Sequence, residues 1–274
     1  MKSAVSLADA SAIEDADIFD LYAAYQETVD AQPRDTEKRQ GYFHPSANGM
    51  CARRNVYEYI RAPVGMGHKF ADQEIYDMGH AVHGMLQSKT HLLREHFDTK
   101  GFDIEFQAEV PYDPSTDELF QMFGIGGTTD GLLSVTRRSD GARQDGVVEY
   151  KSINDDGFSK LTCAKPDHIR QGTLYAYRFN RPIIWVWYFN KNNSRSVVYP
   201  YRFSMDVLNE TLLMYTGWLE HVAAGTLPDR EEDWYACPRC EYREICQPPS
   251  IRAVSKLADA RLKNNLKKKD SRWA

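Results

Sequence analysis

GVVEYKSIN, Gly146 to Asn154, begins as an apolar strand and then sets Glu149 and Lys151 one residue apart inside it. Charged side chains are rarely buried unless they are paired or hold a metal. Side chains alternate faces along a strand, so Val147, Glu149 and Lys151 share one face while Val148 and Tyr150 share the other. The acid and the base therefore point toward a common third object. An isolated E-x-K of this kind also describes a solvated edge pair of little energetic consequence. What surrounds it in the chain decides between the two.

The chain has 274 residues, 42% hydrophobic and 12% aromatic, enough for one large domain or two small ones. No run of about 18 apolar residues occurs, so no membrane span is expected. The opening MKSAVSLADASAIEDADIFD lacks a long apolar segment and is not a secretory signal, which makes a cytoplasmic protein the expectation. A net charge of −5 argues against a bulk nucleic-acid binder. The charge is uneven: the start is acid-rich, and the end carries Arg261, Lys263, Lys267, Lys268, Lys269 and Arg272. Such a tail either holds phosphates or is a solvated end.

The hydrophobic period predicts helices over 14–30, 51–62 and 72–97. FDIEFQAEVPY, LFQMFGIGGTTDGLLSV and GVVEYKS then read as three strands, followed by a helix from Pro166. IIWVWYFNK and RSVVYPYRF are two more strands, and a helix over 205–224 ends at Gly225. The order predicts an α/β fold with a mixed central sheet flanked by helices.

TRRSDGARQD lies between the second and third strands. An antiparallel hairpin centred between Ser139 and Asp140 puts Asp130 opposite Glu149. Opposed like charges are destabilising, and a divalent cation between them is the natural remedy. Lys151 lies one step along the same face. Two acids and a lysine around one point suit metal-assisted phosphodiester hydrolysis. Asp130, preceding Gly131, also fits a turn.

GTTDG followed by EYK resembles the PD-(D/E)XK nuclease superfamily, with Thr129–Asp130 in place of its Pro-Asp element. Gly79 and His83 match the G-x-x-x-H helix of the RecB-like branch, and Gln171 and Tyr175 match its Q-x-x-x-Y. Members have a restriction-endonuclease-like core. The resemblance implies magnesium or manganese held by His83, Asp130, Glu149 and the carbonyl of Tyr150. It makes Lys151 the residue that orients water or stabilises charge, and it has Gln171 and Tyr175 position the DNA strand. The other histidines, His80, His91, His96, His168 and His221, read as structural.

Five cysteines, Cys51, Cys163, Cys237, Cys240 and Cys246, are an odd number that does not suggest a disulfide framework. Cys237-Pro-Arg-Cys240 with Cys246, plus the distant Cys51, resembles the iron–sulphur subset of RecB-like nucleases, which includes AddB-type and CRISPR-adaptation nucleases. There four thiolates hold a [4Fe-4S] cluster. Structural zinc is the competing occupant, although zinc sites more often combine two close pairs. Cys163 matches no motif position. Arg53 and Arg54, beside Cys51, are expected phosphate contacts.

Three parts are expected: a helix and loop over 1–50, a nuclease domain over 51–250 with its cluster segment at 237–246, and a basic tail over 251–274, the resemblance itself covering Cys51 to Cys246. The resemblance implies an exonuclease acting on single-stranded DNA or DNA ends, in recombination, repair, phage replication or CRISPR spacer acquisition, with partners from those processes. Monomers and ring-shaped homo-oligomers both occur among such proteins. Two alternatives stay open: a structure-specific endonuclease on the same core, and a non-catalytic cluster-bearing DNA-binding subunit. No G-x-x-x-x-G-K-[ST] motif marks a fused motor.

Overall fold

A computed structural model of the chain describes residues 21–30, 41–64, 70–112, 116–231 and 237–246. The basic tail and most of the acid-rich start lie outside the described residues. The chain divides into two units, residues 1–33 and 34–274. Of the first, helix α1 (Leu21–Asp30) is described. Everything below concerns the second.

Five strands form one sheet in the order β1-β2-β3-β4-β5: Phe102–Tyr112, Gly127–Arg137, Arg143–Ile153, Ile183–Asn190 and Ser196–Arg202. Neighbours are antiparallel except β3 and β4, which run parallel. A parallel pair needs a crossover, and here α5 (Asp155–Ser159) and α6 (Pro166–Arg178) supply it. The sheet is thus mixed and flanked by helices, as the element order implied.

The alternation within GVVEYK sorts the two faces. Val147 belongs to a core cluster with Leu174 of α6 and with Leu208 and Tyr215 of α7 (Met205–Ala224). Val148 and Tyr150 belong to another, with Val82 and Leu86 of α3 (Phe70–Thr99). The central strand is therefore covered on both sides, which is why it reads as an apolar run. Gly146 begins that run because a Cβ there would lie 2.8 Å from the Ile183 carbonyl oxygen and 2.3 Å from the Trp185 ring.

The expected strand over Leu119–Val135 needs correction. Its first part, Glu118–Phe123, is helix α4, with the Asp117 side chain capping the Phe120 N–H at 3.1 Å and Gly124 at φ 61° closing it. An Asp N-cap and a left-handed glycine bracket a short helix, and these local signals outweighed the apolar composition. Helix α2 (Ala52–Tyr59) follows Cys51 as expected. Among the described residues no helix is long and apolar enough to cross a membrane.

Candidate metal-binding and catalytic site

The β2–β3 ladder pairs Thr136 with Arg143 and continues to Gly131 with Val148. Asp130 and Glu149 are the next positions along it, opposite one another as the hairpin symmetry required. Asp130-Gly131 is mid-strand and not a turn. Gly131 is there because a Cβ would come within 2.4 Å of the Phe106 ring.

On the other side, β1 pairs Ala108 with Gly131 and Val110 with Thr129. Glu109 stands between them, level with Asp130, and adopts φ 50°. That left-handed conformation costs a residue other than glycine on the order of 1–3 kcal/mol. Glu109, Asp130 and Glu149 therefore form one row across three adjacent strands, at the level where pairing lapses on both sides of β2.

Helix α3 overlies the row. His83 Nδ1 lies 3.4 Å from Asp130 Oδ1. One turn on, the Gln87 amide donates to Glu109 Oε1 at 2.5 Å and to the Asp130 carbonyl at 3.1 Å. Ligand atoms of His83, Glu109 and Asp130 all lie within 4.8 Å of one another. Asp130 Oδ2 accepts the Tyr150 N–H at 2.8 Å, and the Tyr150 hydroxyl, on the α3 face, meets Thr90 Oγ1 at 2.6 Å. An imidazole with carboxylates suits a divalent cation, manganese accepting nitrogen more readily than magnesium.

Glu149 is fully buried. Thr129 Oγ1 donates to its Oε1 at 3.4 Å, and Lys151 Nζ lies 3.2 Å from its Oε2. Burial and the neighbouring Asp130 carboxylate push Glu149 up to about 8 despite Lys151. Burial opposes the Lys151 charge, but Glu149 and Asp130 outweigh it and hold the ammonium above its usual range. Burial would also raise Asp130, yet the hydrogen bond from His83 and the charge of Lys151 bring it below the normal carboxylate range. One acid is held ionised and its neighbour is poised to take a proton, which is how two adjacent carboxylates divide their roles.

Lys151 pairs in register with Tyr188 of β4, whose hydroxyl meets His168 Nδ1 at 2.7 Å. Burial and the charge of Lys151 push His168 down to about 3, so it stays neutral. His168 thus borders the site, although nothing in its sequence neighbourhood marked it. Gln171 (5% exposed) and Tyr175 (2% exposed) are buried on α6. Tyr175 packs in the core, its hydroxyl close enough to β2 that a Cβ on Gly127 would lie 2.7 Å away. Burial, with Glu149 and Asp130 nearby, holds that hydroxyl protonated.

Glu109 and Gln87 lie outside the sequence motifs. The signal that could have found Gln87 is the i, i+4 stripe Gly79, His83, Gln87 on one helix face. For Glu109 the sequence offered only a charge in the alternating first strand.

The four motif cysteines meet elsewhere. Cys51, Cys237, Cys240 and Cys246 line one cavity of about 180 Å³, together with Arg53, Arg54 and Tyr57. Among the described residues no three of their sulphurs lie within 4.8 Å of one another. Tetrahedral zinc, with Zn–S near 2.3 Å, needs sulphurs about 3.8 Å apart. Burial and the adjacent Cys246 push the Tyr57 hydroxyl up to about 12, so it stays protonated. Cys163 is exposed.

Arg53 and Arg54, the expected phosphate contacts, have partners within the chain. Arg53 Nε donates to the Pro228 carbonyl at 2.7 Å and its Nη1 lies 3.9 Å from Cys246 Sγ. Arg54 bridges Glu58 at 2.9 Å and Glu241 at 2.7 Å with its side chain 11% exposed. Both arginines fasten the cysteine-bearing segments together.

No family model matches the chain, and no curated protein does. Among solved structures, SSO0001 aligns over 82% of this chain and 93% of its own, at 15% identity and a TM-score of 0.46. The alkaline exonuclease LHK-Exo from Laribacter hongkongensis aligns over 69% of this chain and 91% of its own, at 14% identity and a TM-score of 0.45. The same exonuclease in complex with dAMP aligns over 68% and 90%, at 16% identity and a TM-score of 0.42. Likenesses at this level say nothing of activity.

Proposed function

We propose that this protein is a metal-dependent deoxyribonuclease that hydrolyses phosphodiester bonds of single-stranded DNA or DNA ends. The observation that supports it most is the row of carboxylates at Asp130 and Glu149, beneath His83 and beside a partly buried, charged Lys151. His83, Asp130, Glu149 and the Tyr150 carbonyl would hold magnesium or manganese, which supplies an acidified water and polarises the phosphate. Asp130 stays ionised, and the Tyr150 N–H fixes one of its oxygens. Lys151 is kept cationic by the two acids. It orients the attacking water or offsets charge growing on the phosphoryl oxygens. His168, neutral and tied to Tyr188, adds no competing positive charge beside it. Thr129 holds Glu149 in place for its exchange of proton for metal.

The test is end-labelled linear against circular single-stranded DNA, with manganese and full-length protein purified anaerobically. Degradation of the linear strand with the circle intact is the expected result. Cutting of the circle points to the endonuclease alternative, and no cutting of either to a non-catalytic DNA-binding subunit.

Cys51, Cys237, Cys240 and Cys246 would hold a [4Fe-4S] cluster, a reading that rests on their pattern in the sequence and on the cavity they share. Its part is to clasp α2 to the C-terminal segment, closing a loop long enough that the link contributes roughly 5 kcal/mol at most. Iron and inorganic sulphide are expected in the purified protein, both lost from Cys240→Ala. Zinc without sulphide would replace the cluster with a structural zinc site.

A further inference from the structure

We infer that Glu109 is an additional metal ligand, delivered to the site from β1 and positioned by Gln87. The inference rests on the nuclease reading above and adds to it a carboxylate that none of the recognised motifs contains.

Three independent features converge on Glu109. Its carboxylate shares a 4.8 Å neighbourhood with ligand atoms of His83 and Asp130. Its backbone sits at φ 50°, yet the ladder keeps the same register on both sides, Ala108 with Gly131 and Val110 with Thr129. No residue has been inserted. The strand makes a one-residue excursion and returns, and the excursion falls at the level of Asp130. Backbone strain of this kind persists where the surroundings over-determine it, and it clusters at functional positions.

Gln87 is the third feature. Its amide donates to Glu109 Oε1 at 2.5 Å and to the Asp130 carbonyl at 3.1 Å. A neutral amide is a suitable holder. It fixes the carboxylate without adding a positive charge that would compete with a cation, as an Arg or Lys would. It also ties β1, β2 and α3 together at the metal level. Hydrogen bonds behind the ligands are what set their orientation.

The chemistry follows from the charge count. His83, Glu109 and Asp130 offer one imidazole and two carboxylates within one 4.8 Å neighbourhood, with Glu149 at the next position of the β2–β3 ladder. Like charges directly opposed across a sheet destabilise it, so the row is matched by a divalent cation. Glu109 is the exposed member. It stands on the solvent side, where a ligand can be exchanged as substrate enters.

The test is manganese binding to full-length protein without DNA, by titration calorimetry and by loss of the free-ion electron paramagnetic resonance signal. Glu109→Gln keeps the shape and the Gln87 contact while removing the charge. Manganese affinity at least tenfold weaker in Glu109→Gln, with binding lost in Asp130→Asn, is the expected result. Affinity within twofold of wild type in Glu109→Gln, while Asp130→Asn loses it, overturns the role of Glu109 and leaves the nuclease reading standing. A wild-type protein that takes up no manganese overturns both.

Discussion

Lys151→Met lowers metal-dependent DNA cleavage by about 10²–10³-fold, the loss typical of removing one group that stabilises transition-state charge. The expectation rests on where the ammonium sits. It is 15% exposed, 3.2 Å from Glu149, and held cationic by two acids. A charge fixed in a partly dry site needs no reorganisation when negative charge develops on a phosphate. Truncating one partner of a buried pair is ordinarily expensive because the other is left charged and alone. Here Glu149 need not be left charged, because burial and Asp130 already favour its protonated form up to about 8. The variant should therefore fold and melt close to wild type while failing to cut. Single-turnover cleavage of end-labelled DNA, with a melting curve on the same preparation, measures both. Cleavage within a few-fold of wild type would remove Lys151 from the chemistry and return it to an ordinary ion pair.

The second large effect belongs to Glu149→Gln, which abolishes cleavage yet stabilises the metal-free protein at alkaline pH. The sign follows from the direction of the shift. The folded-state pKa, about 8, lies above the carboxyl's ordinary 4.5. Between those values the folded protein binds a proton that the unfolded chain has released. Stability from this group is fully present below about 4.5 and is lost as pH rises through about 8. The slope reaches at most about 1.4 kcal/mol per pH unit for one proton. Wild type without metal should thus weaken steadily over that window, and Glu149→Gln, which cannot ionise, should flatten the profile. Manganese reverses the trend in wild type, because a cation favours the carboxylate that the proton opposes. The manganese-induced rise in Tm should therefore grow between pH 6.5 and 8.5 in wild type and be absent in Glu149→Gln. Denaturation midpoints across pH, with chelator and with manganese, check both halves. A parallel pair of profiles would mean that Glu149 is not the titrating group.

Much of the candidate site could be read from local sequence, for a specific reason. A hairpin's register follows from where its turn lies, and the turn at Ser139–Asp140 is short and flanked by strands of equal length. That alone aligned Asp130 with Glu149, and the observed ladder keeps the same alignment. The E-x-K spacing fixed which residues share a face, because strand periodicity is a property of the backbone. His83 was legible through its spacing from Gly79. Helix α4 was not, because Leu119–Phe123, four apolar residues in five, serves a strand or a buried helix equally well, and the Asp117 and Gly124 caps decided it.

Arg53 and Arg54 show the other limit. Two adjacent arginines beside a cysteine give no local sign of the partners that the chain brings more than 170 residues later, Pro228 and Glu241. Cys51 and the C-terminal trio could be grouped by pattern, but their common cavity arises only when the ends of the domain meet. His168 comes to the site through the parallel register of β3 with β4, which no local pattern encodes. Glu109 is the clearest case. Its distinguishing feature is one backbone dihedral, and its neighbours Gln87 and Asp130 are 22 and 21 positions away in the chain. Periodicity and turn chemistry act over a few residues, so they specify strands, faces and one hairpin. Which charges share a site depends on how β1 and α3 pack against that hairpin, and that is set by burial of the whole core, where contacts between distant residues outweigh local preference.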